Sequence, residues 1–224
     1  MTVGRKAFIG ATWLLLAIGL MLFVSAGSMR YWQGWIYWII FSGAVVIVTL
    51  YFLKHDPELV ARRTTAGPIA EPEMLQKVIQ ALASILFCAE FIIAGLGYRF
   101  GWTSVPVPLV MMGDVLVVIG FAIIFIVFME NSYAASVVRV EAEQRVISTG
   151  LYAYVRHPMY AGATLLLIGT PLALGSWWGM SVTLALCAVI VARLLDEEQR
   201  LAAELQGYDQ YLQKVTFRLL PGVW

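Results

Sequence analysis

From Tyr160 to Ala192 the chain reads YAGATLLLIGTPLALGSWWGMSVTLALCAVIVA, without one acidic or basic side chain. A membrane-spanning helix takes about 20 apolar residues, so this run is too long for a single crossing. Gly175-Ser-Trp-Trp-Gly179 interrupts it at the middle. The stretch therefore predicts a tight hairpin of two short membrane-embedded legs. Four further apolar runs precede it, at roughly 8–26, 32–53, 78–98 and 106–128. Composition agrees: 61% of the 224 residues are hydrophobic and only 13% charged, with a mean hydropathy of +0.81. A net charge of +1 gives no basic footprint for nucleic acid. The expected fold is an all-α integral membrane protein of about six transmembrane or membrane-embedded helices. A cytoplasmic C-terminal helix over 193–214 follows the last hairpin.

Charge sidedness fits six passes. With the N-terminus inside, the inside segments hold Arg5, Lys6, Lys54, Arg62, Arg63, Lys77, Arg139, Arg145, Arg156, Arg193, Arg200, Lys214 and Arg218. The outside segments hold only Arg30 and Arg99. Trp32, Trp35, Trp102, Trp177 and Trp178 fall at the far interface, as aromatic belts do. Arg5-Lys6, the apolar run after them and Val24-Ser25-Ala26 share features with a cleavable leader. Five more passes follow, however, and an uncleaved first helix fits the charge alternation. The expected setting is a prokaryotic plasma membrane with both termini cytoplasmic.

The chain reads as one integral membrane domain. Residues 1–128 form scaffold hairpins, turned at Ser25-Ala-Gly-Ser28 and near Gly101–Pro106, and 129–224 form the catalytic region. Between the two hairpins, Asp56-Pro57 and Glu71-Pro72 fit helix starts with proline in the first turn. Glu130 to Pro158 reads as an interfacial connector. Gly95-x-Gly97-x-x-x-Gly101 follows an apolar helix and not a strand, so it is no nucleotide loop. Cys88 and Cys187 read as small buried side chains, with neither bridge nor metal implied. Glu90 and Asp114 lie inside apolar passes; Glu90 is expected in a hydrogen-bonded structural role, Asp114 near the wet far interface.

Polar residues concentrate at the two ends of the last hairpin. Before it lies Gly150-Leu-Tyr-Ala-Tyr-Val-Arg-His-Pro-Met-Tyr-Ala-Gly162, and after it Arg193-Leu-Leu-Asp-Glu-Glu198. Helical spacing puts Glu198 on a face with Leu194, Leu195, Leu201 and Leu205, where an ionised carboxylate needs a partner. A ligand cation or ribose hydroxyl would serve, and so would an arginine such as Arg156. Glu197 falls with Arg193, Arg200 and Glu204 on a face expected to be solvated. Pro158 suits the first turn of a helix, whose free N–H groups favour an anion. Arg156 adds a forked donor suited to a carboxylate, and Gly150 and Gly162 allow close backbone approach.

The ordered set Gly150-x-Tyr152-x-x-x-Arg156-His157-Pro158-x-Tyr160-x-Gly162, Glu197-Glu198-x-x-Leu201 and Gly207-Tyr-x-x-Tyr211 resembles the isoprenylcysteine carboxyl methyltransferases and related phospholipid methyltransferases. The resemblance covers roughly 130–220 and implies S-adenosyl-L-methionine as methyl donor. It further implies that Tyr152, Arg156, His157, Pro158, Tyr160 and Gly162 hold that cofactor from one side, with Glu197 and Glu198 on the other. Asn131 and Arg139, just upstream, are expected to approach the methyl acceptor, with Glu198 completing the catalytic set. The acceptor would be a lipid or small lipophilic molecule offering a carboxylate, thiol or amine. A carboxylate or thiolate needs no strong base, whereas an amine must lose a proton, for which His157 or a glutamate is available. Two rival readings are a membrane sterol-type reductase using NADPH and a non-enzymatic transporter or assembly factor. The first expects more basic residues at the ligand; the second expects polar residues spread through several passes.

Overall fold

The long apolar run breaks at its glycine, but into two unequal legs. The computed structural model describes residues 1–102, 104–138 and 144–224. Its helices are α1 (Val3–Ala26), α2 (Trp32–His55), α3 (Pro57–Thr64), α4 (Met74–Phe100), α5 (Val107–Glu130), α6 (Pro158–Ala173), α7 (Trp177–Glu204) and α8 (Tyr208–Lys214), and the described residues contain no strand. Five of them, α1, α2, α4, α5 and α7, are long and apolar enough to cross a membrane. This is an all-α, multi-pass integral membrane protein.

Helix α6 has 16 residues and α7 has 28, about 24 and 42 Å at 1.5 Å per residue. The second leg is thus not short. It carries on through Arg193 and Glu198 to Glu204, so the separate helix expected from residue 193 is the end of the last pass, and only α8 stands apart. Nothing in 192–204 breaks a helix: there is no glycine or proline, and alanine, leucine, glutamate and arginine dominate. At the break, Gly175 takes φ +69°, and the Ser176 hydroxyl caps α7 by accepting from Gly179 N at 3.0 Å.

The tightest packing joins α5 to α6. A Cβ on Gly120 would meet Gly162 O at 2.7 Å, and one on Gly169 would meet Gly113 O at 2.7 Å. Two glycines seven residues apart on each helix bring the backbones together, as small residues do in membranes. Gly162, expected at the cofactor, is therefore committed to helix packing and does not line the cavity described below. Gly95 plays the same part between α4 and α1, where a Cβ would meet Leu22 O at 2.7 Å.

The loop between α2 and α4 follows half of its expectation. Asp56 caps α3, accepting from Leu59 N at 2.9 Å. Glu71-Pro72 does not start a helix, because Glu71 is buried and spent elsewhere, and α4 begins at Met74. Glu90 is fully buried and accepts from Thr183 Oγ1 at 2.5 Å, a structural bond between α4 and α7. Asp114 is buried rather than wet, and Cys88 is exposed on the bundle surface rather than buried.

Gly120→Ala and Gly169→Ala should each lower the thermal midpoint in detergent, because overpacking costs about 1–3 kcal/mol. Gly43→Ala, with nothing within 4 Å of its added methyl, should leave it unchanged or raise it by the helix propensity of alanine. Equal midpoints across the three variants would contradict the close α5–α6 contact.

Candidate active site

At the end of the bundle where α5 and α7 finish and α6 begins, a cavity of about 370 Å³ opens. That lies in the ~300–1,000 Å³ range of small-ligand sites. One wall comes from α7 and the C-terminal segment, with Glu197, Leu201, Leu205, Tyr208 and Tyr211. A second comes from the start of α6, with His157, Met159, Tyr160 and Ala163. Asn131 to Val138, with Arg63 of α3 and Ile124 of α5, close the remainder.

Arg193 organises this end. A guanidinium has five N–H donors, and all five are placed. Nε donates to Tyr160 Oη at 3.2 Å; Nη1 donates to Gln76 Oε1 at 3.1 Å and Gln80 Oε1 at 2.8 Å. Nη2 donates to Glu71 Oε1 at 2.7 Å and Ser136 O at 2.9 Å. Tyr160 passes the bond on, its hydroxyl donating to Glu197 Oε2 at 2.5 Å. The other Glu71 oxygen accepts from Val138 N at 3.1 Å. One arginine of α7 thus fastens α4, the 65–73 loop, the 131–138 connector and α6.

One turn further on, Glu198 gathers a second set. Arg156 Nη1 donates to both carboxylate oxygens at 3.2 Å, and Arg218 reaches Oε1 through Nη2 at 2.8 Å and Nε at 3.1 Å. His157 Nε2 stands 3.4 Å from Oε2, without the alignment of a hydrogen bond. Arg156 is otherwise spent on Val215 O at 2.6 Å and Leu212 O at 3.1 Å. The backbone repeats the link: Arg156 N donates to Phe217 O at 2.9 Å and His157 N to Arg218 O at 3.0 Å. The two polar clusters read from sequence meet each other directly, through Arg156 and Glu198.

Glu198, expected to meet either the ligand or an arginine such as Arg156, holds Arg156 and Arg218 and does not line the cavity. Glu197, placed on a solvated face by helical spacing but at the cofactor by the resemblance, lines the cavity with one oxygen engaged by Tyr160. Arg200, its expected neighbour, pairs with Asp196 at 3.1 Å and Glu73 at 3.6 Å. Asn131 and Tyr152 both line the cavity and are joined, Asn131 Nδ2 donating to Tyr152 Oη at 2.8 Å. Burial pushes the Tyr152 phenol up to about 12, with the Asn131 bond pulling the other way. Burial raises Tyr208 and Tyr211 further, so all three stay neutral at physiological pH. Pro158 is buried as the first residue of α6; beyond it the amides of Met159 and Tyr160 have no acceptor within the helix. Gly150, at φ +56°, lies against the Glu130 carboxylate, which accepts from Leu151 N at 3.0 Å. Arg139 lies outside the described residues.

Sequence reasoning missed Arg63, Glu71 and Arg218. Arg218 sits in a C-terminal stretch whose only signal is an arginine among apolar residues. Arg63 and Glu71 belong to a loop whose return over the cavity no local pattern announces. Among the described residues, five arginines line the cavity: Arg63, Arg145, Arg156, Arg193 and Arg200. This is more than the sequence suggested, although Arg156, Arg193 and Arg200 already have carboxylate partners.

A family model described as phospholipid methyltransferase matches residues 109–207, from the first turn of α5 to the end of α7 and Gly207. No curated protein matches the chain.

Arg193→Met strands the buried Glu71 carboxylate, and breaking such a pair costs about 3–5 kcal/mol. Unfolding in detergent should show that loss, and Glu71→Leu with Arg193→Met should recover part of it. A double variant no more stable than the sum of the singles would mean that the pair is not coupled.

Proposed function

We propose, from the match of residues 109–207 to the phospholipid methyltransferase family model, an S-adenosyl-L-methionine-dependent membrane methyltransferase whose active site is this cavity. The observation that carries the reading is a cavity of about 370 Å³ lined together by Glu197, His157 and the start of α6. S-adenosyl-L-methionine supplies, when bound, an electrophilic methyl group on a sulfonium. The residues present fit such a ligand. His157 lines the cavity while its Nε2 stands 3.4 Å from Glu198, the first-turn amides of α6 suit a carboxylate, and Glu197 suits an ammonium or ribose hydroxyls. Asn131, Tyr152 and Tyr160 form the polar wall.

Glu198 acts at one remove: it bridges Arg156 and Arg218 and so fixes His157 and the C-terminal segment. Methyl transfer asks chiefly for alignment and exclusion of water, and the 131–138 connector and 215–218 segment serve both needs. For a carboxylate or thiolate acceptor the chain needs no base. For an amine, Glu197 and His157 are the groups placed to take the proton. The acceptor is a lipophilic or small molecule reaching the cavity from the membrane. Following the thirteen basic residues expected on one side, we assign this end to the cytoplasmic face, with residues 1–128 as scaffold and 129–224 as the catalytic region.

The arginine count gives a nicotinamide dinucleotide reading one observation in its favour. Titration calorimetry on the detergent-purified protein separates the two. S-adenosyl-L-methionine should bind in the micromolar range, at least tenfold more weakly to Glu197→Gln, and NADPH should not bind. NADPH binding without S-adenosyl-L-methionine binding would replace this reading with the reductase.

A further inference from the structure

Among the described residues, Arg63 and Arg145 are the cavity arginines with no carboxylate partner, and Arg63 is the one that lies against the helices. It stands on α3, outside the spanning helices, with its guanidinium 4.5 Å over the Phe128 ring. Nη1 donates to Ala134 O at 3.1 Å and touches Met159 Sδ at 3.7 Å. No carboxylate pairs with it among the described residues, whereas Arg156, Arg193 and Arg200 each have one. Burial draws its pKa down to about 10, Tyr160 opposing that and Arg193 adding to it; at neutral pH it remains charged. A partly buried guanidinium near a second arginine is stabilised when an anion joins it.

Its position says which anion. Phe128 and Ile124 belong to α5, and Met159 and Ala163 to α6, so Arg63 lies where the cavity meets the membrane-spanning helices. The opposite wall, Leu205, Tyr208 and Tyr211, lies beyond the end of α7. A water-soluble cofactor reaches the second wall from solvent; a lipophilic acceptor reaches the first from the bilayer. We propose that Arg63 is the acceptor-selecting residue: it receives a phosphate or carboxylate of the methyl acceptor, whose apolar part lies against Ile124, Met159 and Ala163. This rests on the methyltransferase reading for the word acceptor, but the anion site stands on its own geometry.

The test measures binding to the full chain in an uncharged detergent, with dioctanoyl phosphatidic acid, dioctanoylglycerol and inorganic phosphate as probes. Wild type should prefer the phosphatidic acid to the diacylglycerol at least tenfold and to inorganic phosphate by as much. Arg63→Gln should erase the preference, and Arg63→Lys, which keeps the charge and guards against misfolding, should retain part of it. S-adenosyl-L-methionine affinity in Arg63→Gln should stay within threefold of wild type. Undiminished preference in Arg63→Gln would overturn the site. Loss of S-adenosyl-L-methionine binding in that variant would assign Arg63 to the cofactor's carboxylate and overturn the acceptor role. Inorganic phosphate binding as tightly as the lipid would make this a free-anion site and likewise overturn it. Failure of wild type to bind S-adenosyl-L-methionine would sink the methyltransferase reading alone, since the lipid comparison still decides the anion site.

Discussion

Five donors on one guanidinium meet five acceptors on four other segments, and the candidate site is built on that match. Arg193 sits where α7 leaves its long apolar stretch. From there it binds Gln76 and Gln80 of α4, Glu71 of the loop, Ser136 of the connector and Tyr160 of α6. A saturated arginine, close to the bilayer where water is scarce, gives each of them a fixed place. The Glu71 carboxylate is fully enclosed and the Arg193 side chain nearly so. The arrangement is therefore stable only when complete.

Continuity of α7 makes the second cluster follow from the first. Five residues on, the same helix presents Glu198 to Arg156 and Arg218, and between the two lies Glu197, turned to the cavity. One rigid helix thus fixes the spacing between an anchor for the chain before the site, an anchor for the chain after it, and a carboxylate left for a ligand. The close α5–α6 contact through Gly120 and Gly162 sets the opposite wall. Site geometry is in this sense an outcome of two helix-level constraints, a glycine seam and a charged helix end.

Much of this was legible in the sequence. Apolar length alone placed the spanning helices, because a bilayer imposes it. The Gly175–Gly179 break and the Asp56 cap were readable because a glycine turn and an aspartate before proline are local signals. What escaped was settled by tertiary partners. Helix spacing put Glu197 in solvent, yet it lines the cavity beside Tyr160, and it left Glu198 open between a ligand and an arginine, which Arg156 and Arg218 decided. Gly162 read as room for a ligand and is room for α5. Glu71 read as a helix start, yet a distant arginine claims it. Arg63 carried no signal, since its isolation from carboxylates exists only in three dimensions.

The most direct test of the account is an experimental structure of the protein with S-adenosylhomocysteine. The account predicts ligand density between Glu197, His157 and the first turn of α6, with Arg193 keeping its five acceptors and Arg156 still bound to Glu198. Density elsewhere, or a ligand that displaces Arg156 from Glu198, would contradict it.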